Sequence, residues 1–317
     1  MEKQKIPFVA VVGPTASGKT ALSIALSKYL DAEVISADSM QIYKGMDIAT
    51  AKPTEDEMGG IPHHLIGFVD INKKFSVAQY LNAARSCIEE IQSRNKKIVI
   101  AGGTGLYINS LVDNIQFDKE DNNDIRIQLT KEAEDFGASF MHEKLNKLDP
   151  EYASKLHEND LTRIIRGIEI NLLFGHTMSE HLRLSREIDS PYNACMIGIN
   201  YRDRQKLYER IDKRVDIMLE NGLLDECKSF FGKFDAEKTA VQAIGYKELF
   251  PYLEGKISFD EAVENLKKAT RNYAKRQLTW FRKDERIHWL YADELSKDGL
   301  ISEAISICNS FYLDLKS

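Results

Sequence analysis

The segment Gly13-Pro14-Thr15-Ala16-Ser17-Gly18-Lys19-Thr20 matches the pattern G-x-x-x-x-G-K-[ST]. Those residue types at that spacing suit a phosphate group. Small residues leave backbone amides bare, a following helix N-terminus adds positive potential, Lys19 supplies a cation, and the Thr20 hydroxyl can ligate Mg²⁺. The motif leaves open whose phosphates are held. A hydrolytic NTPase would carry an acidic residue at the end of a later strand, but KKIVIAGG ends in glycines. The acidic candidate is instead Asp38 in VISADSMQIY. It reads either as the cap of a turn or as a group that takes a proton. A phosphate cradle with a displaced carboxylate points to group transfer rather than NTP hydrolysis, and the alternative is an ATP-dependent kinase of a small molecule or nucleoside.

Three amphipathic segments hold the remaining chemistry. In Leu207–Leu219, Leu207, Ile211, Val215 and Met218 recur at helical spacing, with Lys206, Glu209, Asp212, Lys213 and Asp216 opposite. Arg210 and Arg214 border the apolar stripe, where an arginine needs an anion, either a structural carboxylate or a diphosphate. In Glu261–Arg286, Ala262, Leu266, Ala269, Tyr273 and Trp280 form the stripe, Arg276 and Gln277 edge it, and Lys267, Arg271, Lys275 and Arg282 lie on the far face. That basic face, against an acidic background, favours a polyanion such as RNA. In Asn159–Leu173 the stripe is Leu161, Ile164, Ile165, Ile168 and Leu172, and Arg163 and Arg166 face phosphate or water.

The elements that must position these groups alternate as short apolar runs and helical patterns, which predicts an α/β fold with a parallel sheet. Strands are expected at Phe8–Val12, Glu33–Ser36, Ile98–Ala101, Met196–Asn200 and Ile287–Tyr291. The stretch between the third and fourth is too long for one crossover. It reads as a helical insertion over 113–193, with the acidic run DKEDNND near its start, dividing a core of 1–112 and 194–317.

Composition bounds the reading. The 317 residues are 43% hydrophobic and 29% charged, as in an ordinary globular protein, and no apolar run has the length of a membrane span. The start, MEKQKIPFVAVVG, runs straight into a strand pattern and leaves no room for a signal peptide. Cys87, Cys195, Cys227 and Cys308 are far apart, which argues against a zinc knuckle or disulfide framework and fits a reducing cytoplasm. The net charge of −6 means that any RNA contact must come from local basic patches.

With these residues in view, the chain resembles the tRNA dimethylallyltransferases (tRNA isopentenyltransferases) in their short bacterial form. GPTASGKT, ISADSMQIYKGMDIATAKPT, PHHLI, AGGTGLY, NDLTRIIRGIE, RIDKRVDIMLENGL, QAIGYKEL and ATRNYAKRQLTWFR carry the resemblance over almost the whole chain. It implies a P-loop NTPase-like core, transfer of a dimethylallyl group from its diphosphate to the N6 amine of adenosine 37 of tRNA, and Mg²⁺ near Thr20. It implies that Thr15–Thr20 hold the diphosphate with Arg210, Arg214 and Arg276. Asp38 takes the proton, and Ser39, Met40 and Gln41 line the base. Thr104 and Arg126 contact the tRNA, and Thr162–Arg166 and Gln242–Lys247, with Gly245, grip the anticodon stem-loop. The helical insertion lies against that stem-loop. A cytoplasmic monomer is expected. Arg271 and Lys275 are expected to meet RNA through the basic helix face read above.

Overall fold

The computed structural model describes residues 5–117, 123–185, 187–233 and 239–315. Most of the DKEDNND run lies outside these. The chain divides into two compact units, Met1–Val112 with Pro191–Ser317, and Asp113–Ser190.

The first unit is built on β1 (Ile6–Val12), α1 (Lys19–Leu30), β2 (Ala32–Ser36), α2 (Glu55–Met58), β3 (His63–His64), α3 (Val77–Ser93), β4 (Lys97–Gly102) and α4 (Gly105–Val112). The second holds α5 (Asn123–Leu148), α6 (Pro150–Ala153), α7 (Leu161–Phe174) and α8 (Met178–Leu184). The chain then returns to the first with β5 (Tyr192–Asn200), α9 (Arg204–Glu220), α10 (Leu223–Phe230), α11 (Tyr246–Leu253), α12 (Phe259–Phe281), β6 (Ile287–Tyr291) and α13 (Lys297–Asp314).

The strands form one parallel sheet in the order β3-β2-β4-β1-β5-β6. Phe8–Val12 are completely buried, as a central strand covered on both faces requires. The five expected strands are present. The edge strand β3 was not expected, because two residues after Pro62 are too few to show a period. Tyr192 and Asn193, expected in the insertion, belong to the sheet, where they pair with Ile6 and Pro7.

The order creates a switch point. From β1 the chain crosses over β4 to reach β2, whereas from β4 it leaves in the other direction and returns as β5, beyond β1. The loops after β1 and β4 therefore diverge at adjacent strand ends, where an open parallel sheet leaves a crevice for ligands.

One core, including Val9, Val11, Leu22, Leu26, Val34, Val99 and Ile197, lies between the sheet, α1 and α13. A second ties the loop after β2 to α9–α12 through Ile42, Tyr43, Met46, Val215, Leu223, Tyr246, Leu249 and Leu266. Each such buried side chain contributes about 1.5–3 kcal/mol, so this second core anchors the loop that bears Asp38.

In the second unit, Leu129, Met141, Leu145, Ile164, Ile165 and Ile168 form the core. The run of α5 is broken at Gly137 (φ 84°, ψ 173°). The stripe expected on α7 holds except at Leu172, which is 54% exposed. Glu169, not Leu172, turns inward and is 1% exposed, held by Arg126 and Arg166.

Candidate active site

The P-loop leaves β1 at Gly13 (φ +144°), where an added Cβ would lie 2.5 Å from the Ile199 carbonyl oxygen of β5. Ala16 (φ 61°) and Gly18 (φ 101°) adopt left-handed backbone, and α1 starts directly after Gly18. Ser17 is buried with its hydroxyl unpartnered. Lys19 Nζ donates to the Pro14 carbonyl at 2.6 Å, so the lysine folds back over the loop. Burial pushes its ammonium down to about 7; the nearby Arg214 charge adds to this, and Asp38 opposes it.

Two arginines of α9 reach the same loop. Arg210 Nε donates to the Ala16 carbonyl at 3.1 Å, and an Arg214 guanidinium nitrogen lies 3.4 Å from Thr15 Oγ1. Burial also lowers the Arg214 pKa. Neither arginine makes a salt bridge among the described residues. Of the residues they could meet, the structure brings both to the P-loop rather than to a structural carboxylate. Lys19 and Arg214 are thus two desolvated cations at one loop, with no salt bridge among the described residues and the nearby Asp38 carboxylate opposing part of the cost.

The loop after β2 is laced to the loop after β4. Ala37 N donates to Ala101 O at 2.8 Å, Thr104 N to Ala37 O at 3.1 Å, and Ser39 N to Thr104 Oγ1 at 3.0 Å. Asp38 Oδ1 accepts from Met40 N at 2.9 Å and Gln41 N at 3.3 Å. The turn-capping reading of Asp38 is therefore correct for one oxygen, while the residue still lines the cavity with Lys19. Gln41 is occupied at both ends, accepting from Ser36 Oγ at 3.3 Å and donating to the carbonyls of Thr50 and Ala51.

These loops enclose a cavity of about 250 Å³. Thr15, Lys19, Thr20 and Arg214 form its cationic end, with Asp38, Ser39, Met40 and Gln41 beside them. Gln242, Gly245, Lys247 and Arg276 also line it, although they are far away in sequence. Its walls include Val34, Ile66, Ala49, Val215, Leu223 and Leu266, so one space offers cations, a carboxylate and an apolar lining. Thr104 is not on that lining; it braces Ser39 from behind.

Other expected contacts are placed differently. Arg271, read on the basic face expected to meet RNA, pairs instead with Asp212 at 2.5 Å, and Lys267 pairs with Asp216 at 2.7 Å. Half of the basic face of α12 is thus neutralised by α9, because the two helices pack side by side; Lys275 stays exposed. In the second unit Arg166 and Arg126 share Glu169 at 2.8 and 2.7 Å. Arg163 is exposed, with Asp160 at 3.1 Å, and begins one residue after Thr162 in the first turn of α7.

A divalent cation fits this site in one way. Among the described residues no group of three His, Cys, Asp or Glu could hold a metal. Thr20 and Asp38 line the same space. Such a pair suits an ion that arrives with the phosphates of its ligand rather than one caged by protein.

A family model described as IPP transferase matches residues 41–284. The chain belongs to the IPP transferase family. It is 48% identical over 292 residues to a tRNA dimethylallyltransferase of Caldanaerobacter subterraneus subsp. tengcongensis, covering 91% of this chain and 93% of the relative. It is 50% identical to that of Bacillus subtilis over 290 residues, 91% of this chain and 92% of the relative. Among solved structures it is similar to a full-length tRNA isopentenylpyrophosphate transferase from Bacillus halodurans (TM-score 0.74, 42% identity, 99% and 98% of the two chains). It is also similar to a eukaryotic dimethylallyltransferase acting on tRNA (TM-score 0.83, 30% identity, 98% and 80%).

Two residues that organise the site were not singled out for that role from the sequence. Gln277, 5% exposed on α12, accepts from Thr15 N at 2.8 Å and donates to Gly103 O at 3.0 Å, tying the P-loop to the glycine loop. Glu226 on α10 accepts from Asp47 N, Ile48 N, Ala49 N and the Tyr246 hydroxyl at 2.7–2.9 Å, fixing the wall of the cavity. The AGGTG glycines could have pointed to Gln277. A Cβ at Gly103 would lie 2.1 Å from its amide nitrogen, and one at Gly102 2.1 Å from the Ala37 carbonyl.

Proposed function

We propose that this protein transfers the dimethylallyl group of dimethylallyl diphosphate to the N6 amine of adenosine 37 in tRNA, releasing diphosphate. The observation that carries the reading is that Lys19, Arg214 and Asp38 share one partly apolar cavity. Cations without a salt-bridge partner suit a diphosphate, the apolar wall suits a prenyl chain, and the carboxylate suits a proton.

In the reaction, the amine nitrogen bonds to the allylic carbon as the carbon–oxygen bond to diphosphate breaks, and the amine proton passes to the Asp38 carboxylate. Such proton removal contributes about 10²–10⁴-fold. Negative charge grows on the leaving diphosphate, so Lys19, Arg210, Arg214 and Arg276 stabilise the transition state more than the bound donor. Mg²⁺, held by Thr20 and the donor's oxygens, would neutralise part of that charge. The base must leave its stack to enter the cavity, at lower cost from a loop than from a duplex. In this proposal Ser39, Met40 and Gln41 line the base, with Thr104 holding Ser39, while Gln242, Gly245 and Lys247 meet the tRNA beside it. On this reading the second unit meets the anticodon stem-loop through Thr162, Arg163, Arg166 and Arg126, and the enzyme works as a cytoplasmic monomer. Among the described residues no helix is long and apolar enough to cross a membrane.

The test is mass spectrometry of unmodified tRNA incubated with protein, Mg²⁺ and dimethylallyl diphosphate, without ATP. One added dimethylallyl group on the adenosine 3′ to the anticodon is expected. Product formed only when ATP is supplied would support the kinase alternative, which the relatives do not favour. Asp38→Asn is the informative variant, because an amide oxygen still accepts from Met40 N and Gln41 N. Turnover should fall about 10²-fold or more with donor and tRNA binding nearly unchanged; near wild-type turnover would remove Asp38 as the base.

A further inference from the structure

Trp280 was expected in the buried stripe of α12, but the structure leaves it 40% exposed. It is nonetheless held in place. Its indole Nε1 donates to Asn109 Oδ1 at 3.1 Å, and Asn109 Nδ2 donates in turn to Asp284 at 3.2 Å. The indole rests on Gly105, where an added Cβ would lie 2.2 Å from its Cδ1. Gly103 admits Gln277 and Gly105 admits Trp280, so α12 lies flush on the loop that braces Asp38. The polar edge of the ring is satisfied while part of its apolar surface faces water; Leu106, next in the chain to Gly105, is 42% exposed.

The surroundings carry positive charge. Arg276 and Trp280 follow one another at i and i+4 on one face of the helix, and Lys283 comes in the turn just after its end. Arg276 lines the cavity, so this set begins at the reactive space and runs outward. Lys275, Arg276, Arg282 and Lys283 are all exposed, and none makes a salt bridge among the described residues. A held, exposed aromatic set among cations that make no salt bridge is the pattern that holds single-stranded nucleic acid, the cations meeting phosphates and the ring a base.

We propose that Trp280 is a stacking platform for the nucleotide adjoining the one whose base enters the cavity. It would keep that neighbour from restacking on the vacated position and so hold the reacting base extruded. This rests on the reading of the protein as an enzyme acting on a tRNA loop. Trp280 is a positioning residue and touches no reacting atom.

The experiment uses an anticodon stem-loop RNA with 2-aminopurine beside the reacting adenosine. Wild-type protein should modify it and quench the 2-aminopurine on binding. Trp280→Leu, which still covers Gly105, should raise KM for the RNA roughly 5- to 100-fold, leave donor KM unchanged and abolish the quenching. Trp280→Phe should recover most of both. A second measurement keeps the side chain intact. The chain has two tryptophans, so in Trp289→Phe protein Trp280 is the sole emitter, and saturating RNA should quench it. If wild type modifies the RNA but Trp280→Leu keeps its KM and quenching, or Trp280 emission ignores the RNA, the platform is refuted. If wild type gives no product, the failure lies with the function instead.

Discussion

The donor's affinity should depend steeply on pH, through Lys19. In the free protein its ammonium is held at about 7 rather than 10.5, by burial and then by Arg214. A diphosphate in the cradle reverses both effects, because it compensates the lost solvation and screens the arginine. Above about pH 7 binding must therefore put a proton on Lys19, at a cost that grows by about 1.4 kcal/mol per pH unit. The dissociation constant of dimethylallyl diphosphate should rise about tenfold per unit, hence about 100-fold between pH 7 and 9, with no contribution from this group below pH 7. The same shift acts on folding. The unfolded chain binds the Lys19 proton below 10.5 while the free folded protein does not until about 7. Stability without donor should thus fall as pH drops through that window and level off below it, and donor should restore it. Calorimetric titration without RNA, in two buffers of different ionisation enthalpy, reads both constants and protons. Close to one proton should be taken up per donor near pH 8.5. Lys19→Met should bind weakly and without the slope. A dissociation constant that is flat from pH 7 to 9, or a slope that survives Lys19→Met, would refute the reasoning.

Gln277→Leu leaves Thr15 N and Gly103 O without their partner, and the loss should be about 2–5 kcal/mol in urea denaturation together with weakened donor binding. Glu226→Ala removes the acceptor of three backbone amides and a buried phenol, so donor KM should rise and the melting temperature should fall by several degrees. Lys275→Ala should reduce the salt dependence of tRNA binding by about one phosphate contact. Arg271→Ala should instead lower stability, because it leaves Asp212 unpaired, and an equal change in salt slope from both would refute the distinction.

The sequence by itself determined the local chemistry. The P-loop pattern fixes its own geometry, because glycines and small residues leave few other ways to bare the amides. Continuous apolar runs located the central strands, and helical periodicity found α7, α9 and α12. Residue types also placed Arg210 and Arg214 at the edge of an apolar stripe and marked the Asp38 loop. Only the tertiary structure decided which partners these groups meet. Whether Arg214 finds a carboxylate or the P-loop depends on how α9 packs, and periodicity gives a face but not a neighbour. The same packing silences Arg271 and Lys267 against α9 while leaving Lys275 free. Gln277 and Glu226 were invisible as site residues because their bonds to the P-loop, the glycine loop and the Asp47–Ala49 amides join segments 174 or more residues apart. Trp280 sits on the apolar side of its helix, yet it is 40% exposed because the surface it meets, Gly105 and Asn109, covers only part of the indole. Period assigns a direction to a side chain; only the extent of the opposing surface decides whether that direction is buried.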